Sequence, residues 1–451
     1  MKLEAKRDLI PQYQTQLSRG VGERLKEPLD RQEISPEDLT SNGRLPVIIE
    51  AADSTTLEAL KKLCKTPGSK ITGELPIINA FTAALDPNTV GVLAGIQGDY
   101  QVWIDRKYQW IDPEPIQVEP LGNMRAREEV GLLDNANVTL QADQLNELGL
   151  TGKKGTLLVV DTGIDSTHKD FEGKIVGWKD FIKGKKIGYD DQGHGTHCAS
   201  DAAGTGAASD GLYKGTAPDA KIAATKVLDK NGAGRLSDII KGVNWGVMKK
   251  DELDIRVLSM SLGGPVFQSW KESPVNQAVE KAVDAGIVAF VAAGNSGPKP
   301  GTIGTPGNDP KVITIGALNN KHTAEEGDDD PAKFSSVGPT PIDNEKKPDV
   351  MSPGVLIIAA TAYGSVLDQH PKVPHVGKDY IMISGTSMAT PKAAGVGMDL
   401  VEARPDLDPD QWKEILRETA RELPGISDDV QGKGSIRGKA AYEAAIRYPE
   451  F

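Results

Sequence analysis

The chain has 451 residues, a formal net charge of -12 and 38% hydrophobic residues, with 49 glycines. That length allows two or three domains, and the composition is that of a turn-rich globular protein. The negative balance argues against nucleic acid as a main partner, and the longest apolar stretch, Gly286 to Gly294, falls far short of the roughly 20 residues that cross a membrane.

The chain begins Met1-Lys2-Leu3-Glu4-Ala5-Lys6-Arg7-Asp8. No apolar run follows these charges, so no secretory leader and a cytoplasmic location are expected. The alternative is a secreted protein whose leader is missing from this sequence. Residues 1–44 are polar and charged, broken by Pro11, Pro28 and Pro36, and read as an extension with one or two weakly held helices. Val47 to Glu50 reads as a strand. Leu57, Leu60 and Leu63 carry helical spacing between Thr56 and Cys64. Ile71 to Leu75 and Ile77 to Leu85 predict two strands. Asp86-Pro87 predicts a helix start, with Asp86 as cap and Val90 to Ile96 as the helix. Gln101 to Ile104 is a final strand. This order, strand-helix-strand-strand-helix-strand, predicts a small ferredoxin-like α+β domain over 45–110.

Residues 111–132 hold prolines and charges with little periodicity and read as an exposed linker. A larger domain follows, from 133 to 451. Ala142 to Leu148 predicts a short helix. Apolar runs at Thr156 to Val160, Ile222 to Val227, Val257 to Ser261, Ile287 to Ala292 and Val312 to Ile315 predict buried strands. Helical patterns at Leu236 to Met248 and Val275 to Ala285 lie between them. The alternation predicts an α/β domain, a parallel sheet with helices on both faces. A last helix, Asp410 to Glu422, should be capped by Asp408 with Pro409 in first position. Cys64 and Cys198 fall in different domains, so no stabilising disulfide is expected.

Three stretches carry chemistry. Val159-Val160-Asp161-Thr162-Gly163 places an Asp at the end of a buried strand. Gly193-His194-Gly195-Thr196-His197-Cys198 places a His 33 residues later, room for one crossover back to the same sheet edge. Ser384-Gly385-Thr386-Ser387-Met388-Ala389-Thr390-Pro391 places a Ser before an apolar helical run, where free backbone N–H groups favour developing negative charge. A serine hydroxyl needs a base, and a base needs an orienting group. Ser387, His194 and Asp161 supply that set in the order Asp, His, Ser. A Ser-His-Asp esterase is disfavoured by that order and by the lack of Gly-x-Ser-x-Gly. A catalytically dead binding module is disfavoured by the intact set.

These motifs, with Ala292-Ala293-Gly294-Asn295-Ser296-Gly297, resemble the subtilisin-like serine proteases, or subtilases, from about Gly152 to about Ala445. The resemblance implies a serine endopeptidase with Asp161, His194 and Ser387 as triad and the Asn295 amide as oxyanion donor. Ser261-Leu262-Gly263-Gly264 resembles the edge that pairs with an extended peptide. With Ala292, Ala293 and Gly294, and Gly304 as floor, it would frame a pocket without charge, suited to large apolar side chains. The domain over 45–110 resembles subtilase prodomains, most closely at Ile77-Ile78-Asn79-Ala80-Phe81. It implies a precursor that cuts itself within 111–132 and is inhibited by its own prodomain. Expected partners are proteins and peptides, not nucleic acid or membrane. No cofactor is needed for the chemistry. Structural calcium is a candidate at Asp170, which matches a calcium ligand of secreted subtilases, and at the oxygen-rich run Glu325, Glu326, Asp328, Asp329, Asp330. His197 is expected to be packing and Cys198 a buried free thiol.

Overall fold

The computed structural model describes residues 3–17, 34–96, 98–112, 115–116, 135–323 and 326–448. Helices α1 (Leu3–Arg7) and α2 (Ile10–Leu17) come first. Residues 45–104 then take the expected order: β1 (Leu45–Ala51), α3 (Ser54–Leu63), β2 (Lys70–Leu75), β3 (Ala80–Leu85), α4 (Pro87–Gly95) and β4 (Tyr100–Ile104). Asp53 caps α3 by accepting from Thr56 N at 2.8 Å. Asp86 caps α4 by accepting from the N–H groups of Asn88 and Thr89, with Pro87 in the first turn. Each carboxylate satisfies donors that the helix itself leaves open. The strands lie in the order β2-β3-β1-β4, every neighbouring pair antiparallel. Alternation along β1 splits its side chains between two cores. Val47 and Ile49 pack with Leu60, Phe81 and Leu93, whereas Ile48 joins Ala80 and Trp103 in a core shared with the larger domain.

Two expectations are corrected here. Ile77 to Leu85 is not one strand. Pro76–Ile78 form a 3-10 turn, Asn79 takes a left-handed φ of 48°, and β3 begins at Ala80. Pro76 cannot donate to a ladder and fixes the turn instead. Nor is the start of the chain weakly held. Tyr13 is fully buried and its hydroxyl donates to Gly43 O and Leu85 O, while Ile34 and Leu39 enter the same core as β1.

After β5 (Lys107–Gln109) the larger domain opens with α5 (Ala136–Thr139), α6 (Ala142–Glu147), β6 (Thr156–Asp161) and β7 (Ile175–Asp180). Next come α7 (His194–Ala203), β8 (Lys221–Lys226), β9 (Ala233–Arg235), α8 (Leu236–Met248) and β10 (Ile255–Met260). Then follow α9 (Pro274–Asp284), β11 (Val288–Ala292), β12 (Ile313–Asn319), β13 (Asp330–Pro331) and β14 (Val350–Pro353). The last elements are β15 (Ile357–Ala360), β16 (His375–Val376), β17 (Tyr380–Ile383), α10 (Thr386–Ala403), α11 (Pro409–Glu418) and α12 (Gly438–Ala445). The main sheet runs β13-β12-β11-β10-β6-β8-β7, with β14 also paired to β12. All its pairs are parallel except β12 with β13. Leu157 and Val159 of β6 face a core with Ala199 of α7 and Ala393 of α10. Leu158 and Val160 face Ile239 and Val243 of α8 and Val279 of α9. Helices therefore cover both faces, as a buried parallel sheet requires.

The expected β6, β8, β10, β11, β12, α8 and α9 are present, with ends shifted by three residues or fewer apart from β12. That strand ends four residues later, at Asn319. Strand β7 was not legible, because Gly177 and Lys179 interrupt a half-exposed edge. The small β15-β17-β16 sheet has strands too short to show a period. Helix α11 has the expected Asp408 cap, here a full capping box with Gln411, but stops at Glu418, where Thr419 closes it. The linker expected at 111–132 lies mostly outside the described residues, as does Glu325.

Candidate active site

Strand β6 is the first of the sheet in sequence, yet it sits in the middle. The chain moves from it to β7 and β8 on one side and to β10, β11 and β12 on the other. The crevice at the carboxyl ends of β6 and β10 is thus the point where strand order reverses, the favoured place for a site in such sheets. Asp161 is the last residue of β6, and Ser261 follows the last residue of β10.

His194 is the first residue of α7. Its Nδ1 lies 2.8 Å from Asp161 Oδ1, and both side chains are buried. Burial by itself would lower the His194 pKa. The adjacent Asp161 carboxylate outweighs it, and the pKa is raised above 6.5. The loop before α7 is anchored by Asp190. Its carboxylate accepts from the N–H groups of Gln192 (3.1 Å), Gly193 (2.8 Å) and Thr196 (2.9 Å), and from Thr196 Oγ1 (2.8 Å). It stands in for a cap that Gly193 cannot provide. Thr162 ties the two loops together by accepting from Gly195 N at 2.8 Å. That approach needs glycine, since a Cβ on Gly195 would lie 2.2 Å from Gly163 O.

Ser387 is the second residue of α10, so its N–H has no acceptor within the helix. Its hydroxyl donates to Ser261 O at 3.1 Å rather than to His194. Asn295 follows β11, and its Oδ1 accepts from Thr386 N (2.9 Å) and Thr386 Oγ1 (2.8 Å). The amide oxygen is thereby engaged, and Nδ2 is the end left for the cleft. His194, Asn295, Ser384 and Ser387 line one hollow with Gln192, Leu367 and Met388. The fold therefore brings together the four residues singled out from the sequence. It also reveals Thr162, Asp190 and Thr386 as their supports. Thr162 and Thr386 stand inside the motifs that carry Asp161 and Ser387, whereas Asp190 lies outside them, an acid just ahead of a helix start.

Cys198 is fully buried one turn after His194, its Sγ 3.6 Å from Nδ1 and 4.0 Å from Nε2. The thiol donates to Ser387 O at 3.3 Å. Burial pushes its pKa well above 9, and the carboxylates of Asp161 and Asp201 add to the effect. His197 is buried with Nδ1 2.9 Å from Asp201 Oδ2 and Nε2 3.2 Å from Ile357 O.

The pocket segments also converge. Gly264 and Thr305 exchange backbone hydrogen bonds of 2.9 Å, and Gly304 N donates to Ala293 O at 3.0 Å. Ser261, Leu262, Ala292 and Ala293 are buried behind them, while Gly263, Gly294 and Gly304 are partly exposed. None carries charge.

The chain's own segment after β4 lies along this edge. Strand β5 pairs antiparallel with β9. The N–H groups of Trp110 and Ile111 donate to Gly232 O at 3.2 and 3.3 Å, and Gly263 N donates to Trp110 O at 3.0 Å. The Trp110 indole donates to Gly234 O at 2.9 Å and packs on Gly264, where an added Cβ would lie 2.7 Å from the ring. Ile111, Asp112, Pro115 and Ile116 then line the hollow that holds His194 and Ser387.

The described calcium candidates are each engaged by protein partners. Asp170 is fully buried and accepts from Ala208 N (3.0 Å) and the Tyr380 hydroxyl (3.1 Å). Asp328 accepts from Thr323, Asp329 pairs with Arg421, and Asp330 pairs with Lys321 at 2.6 Å. Each oxygen-rich side chain is spent on its own partner. Among the described residues, the convergent set of three ligand-type side chains is Asp161, His194 and Cys198, at the acid–base pair itself.

A sequence model described as the subtilase family matches residues 152–434. Serine protease AprX of Bacillus subtilis (strain 168) is 45% identical over 320 residues, covering 69% of this chain and 72% of that one. Subtilisin DY of Bacillus licheniformis is 35% identical over 306 residues, 67% of this chain and 96% of that one. Among solved structures, fervidolysin from Fervidobacterium pennivorans, described as a keratinolytic enzyme related to subtilisin, superposes with a TM-score of 0.66 at 23% identity. That match covers 89% of this chain and 61% of the fervidolysin chain, and it speaks to fold alone.

Proposed function

The chain belongs to the subtilase family and is a serine endopeptidase, and we propose that Asp161, His194, Ser387 and Asn295 carry its chemistry. The observation that supports this reading is the 2.8 Å Asp161–His194 contact beside a hollow lined by Ser387 and Asn295. The Ser387 hydroxyl turns about one side-chain bond from Ser261 O toward His194 Nε2. His194 takes its proton as Oγ attacks the scissile carbonyl, then gives that proton to the leaving amine. Water repeats the sequence on the acyl-enzyme. Asp161 holds Nδ1–H and stabilises the imidazolium. The Asn295 Nδ2 and the Ser387 N–H receive the developing oxyanion at the positive end of α10.

Residues 45–110 act as an inhibitory prodomain, and the enzyme processes itself downstream of it, within 111–132. Two features support this. Residues 107–111 already lie extended along the cleft, paired with β9 and Gly232 on one side and joined through Trp110 O to Gly263 N on the other. The prodomain also completes the larger domain: Asp105 accepts from Ser237 N (3.0 Å) and Ser237 Oγ (2.7 Å) in the first turn of α8, which has no side-chain cap of its own. Cleavage follows large apolar side chains, because Gly263, Gly294 and Gly304 leave an uncharged opening. A peptide library in which Arg or Lys is preferred at the cleaved position overturns that part. A Ser387→Ala chain should stay at full length, fail to label with a fluorophosphonate, and be trimmed by added active enzyme. Self-processing of Ser387→Ala at the parental rate overturns the assignment.

A further inference from the structure

We infer that Lys226 is a positioning residue of the triad, acting with Asp191 as a buried clamp between the loop that follows Asp161 and the loop that precedes His194. This inference rests on the triad reading above and goes beyond it.

Lys226 ends β8, and its strand partner across the ladder is Asp161. The side chain is fully buried. Its ammonium donates to Thr162 O, the carbonyl next after Asp161, and to Asp191 Oδ1 at 2.7 Å. It also lies 5.1 Å from the centre of the Tyr189 ring. Thr162 and Asp191 belong to the two loops that fix the Asp161–His194 pair. The Thr162 hydroxyl accepts from Gly195 N. Asp191 O accepts from Val366 N at 3.2 Å, and its second carboxylate oxygen accepts from Lys183 at 2.7 Å.

An ammonium taken out of water is retained only when its charge and hydrogen bonds are answered. Here both answers come from the catalytic loops, so the burial of Lys226 is coupled to their relative placement. The sheet alone does not set that placement, since Asp161 is the last residue of β6 and His194 lies beyond a long excursion. A shift of about 1 Å between base and orienting carboxylate is enough to lower turnover about 100-fold. Lys226 touches neither substrate nor reacting atoms, so it works through Thr162 and Asp191.

The charges predict a signature that a purely structural residue lacks. Lys226→Met removes a cation and leaves Asp191 with less compensation, which favours the imidazolium. The acid limb of kcat/KM should move to higher pH. Asp191→Asn leaves the Lys226 cation less compensated, and the limb should move to lower pH. The test uses the processed enzyme with active sites counted by fluorophosphonate titration and a peptide substrate. Lys226→Met should lower kcat per titrated site about 100-fold with KM within about twofold. Asp191→Asn should lower it less, and the double variant should match Lys226→Met alone, because both act through one contact. Asp191 is partly exposed, so its variant reports even if Lys226→Met does not fold. Unchanged kcat per site in Asp191→Asn, limbs that move together, or additive losses in the double variant overturn the clamp. Absence of fluorophosphonate labelling in the parent enzyme would instead refute the triad reading beneath it.

Discussion

Truncating Trp110 gives the sharpest test of the segment lying along the cleft. Its side chain is 4% exposed, is wedged against Gly264 and meets Tyr108 edge-on with ring centroids 6.0 Å apart. A buried tryptophan covers about 150–250 Å². At about 25 cal/mol per Å² that is roughly 4–6 kcal/mol of burial. Truncation of buried aromatics costs about 3–5 kcal/mol in practice. The indole's hydrogen bond to Gly234 O falls within that loss, because Gly234 O becomes free to bind water. At about 1.4 kcal/mol per tenfold, Trp110→Ala should shift the docked segment toward release by roughly 100-fold to several thousandfold. Backbone amide exchange reads this directly in the full-length Ser387→Ala background, where no self-cleavage interferes. Gly263 N donates to Trp110 O only while the segment is docked. Its exchange should accelerate by that factor in the double variant, while amides of β10 and β11 stay protected. If exchange over residues 261–264 remains within twofold of Ser387→Ala, Trp110 does not hold the segment in place.

Asn295→Ala should lower kcat by about 10²–10³-fold with little change in KM, the range known for losing one oxyanion donor, subtilisin included; a change in KM alone would speak against the assignment. Because Asp161 raises the His194 pKa, and His194 must be neutral to act, activity should fall as pH drops through a value above the ordinary 6.5. Asp161→Asn should move that limb to lower pH as well as reducing kcat. Asp399 of α10 is fully buried with both carboxylate oxygens unpartnered, and burial, then Glu402 and Asp219, raise its pKa far above 3.8. The fold holds this group protonated while the unfolded chain ionises it, so stability should fall as pH rises from about 4 toward the raised pKa. Asp399→Asn should raise the melting temperature at pH 8 and flatten that slope; equal melting temperatures for parent and variant from pH 5 to 8 would count against it.

The sequence alone determined the elements whose causes are local. Asp86-Pro87 and Asp408-Pro409 are caps that work within four residues, and α4 and α11 begin where they say. Leu236 to Met248 carries its period through thirteen residues, and α8 has those bounds. Long apolar runs marked β6, β10 and β11, because a strand buried on both faces has no polar side to hide it. Motif order likewise singled out Asp161, His194 and Ser387, and the family resemblance added Asn295. Tertiary structure alone decided what depends on partners far away in the chain. Tyr13 looks like one residue of a polar extension until Gly43 and Leu85 accept its hydroxyl. Cys198 is a buried free thiol as expected, but the size of its burial, which raises its pKa, comes from elements remote in the chain. In the acidic run at 326–330, Glu326 and Asp329 pair with Arg421 from another element and Asp330 pairs with Lys321 from a nearby turn, partners that the run itself does not announce. Lys226 reads as one charged residue at a strand end. Only the strand order, which sets β8 beside β6 and brings Asp191 over both, turns it into a buried cation between the two loops that carry the acid–base pair.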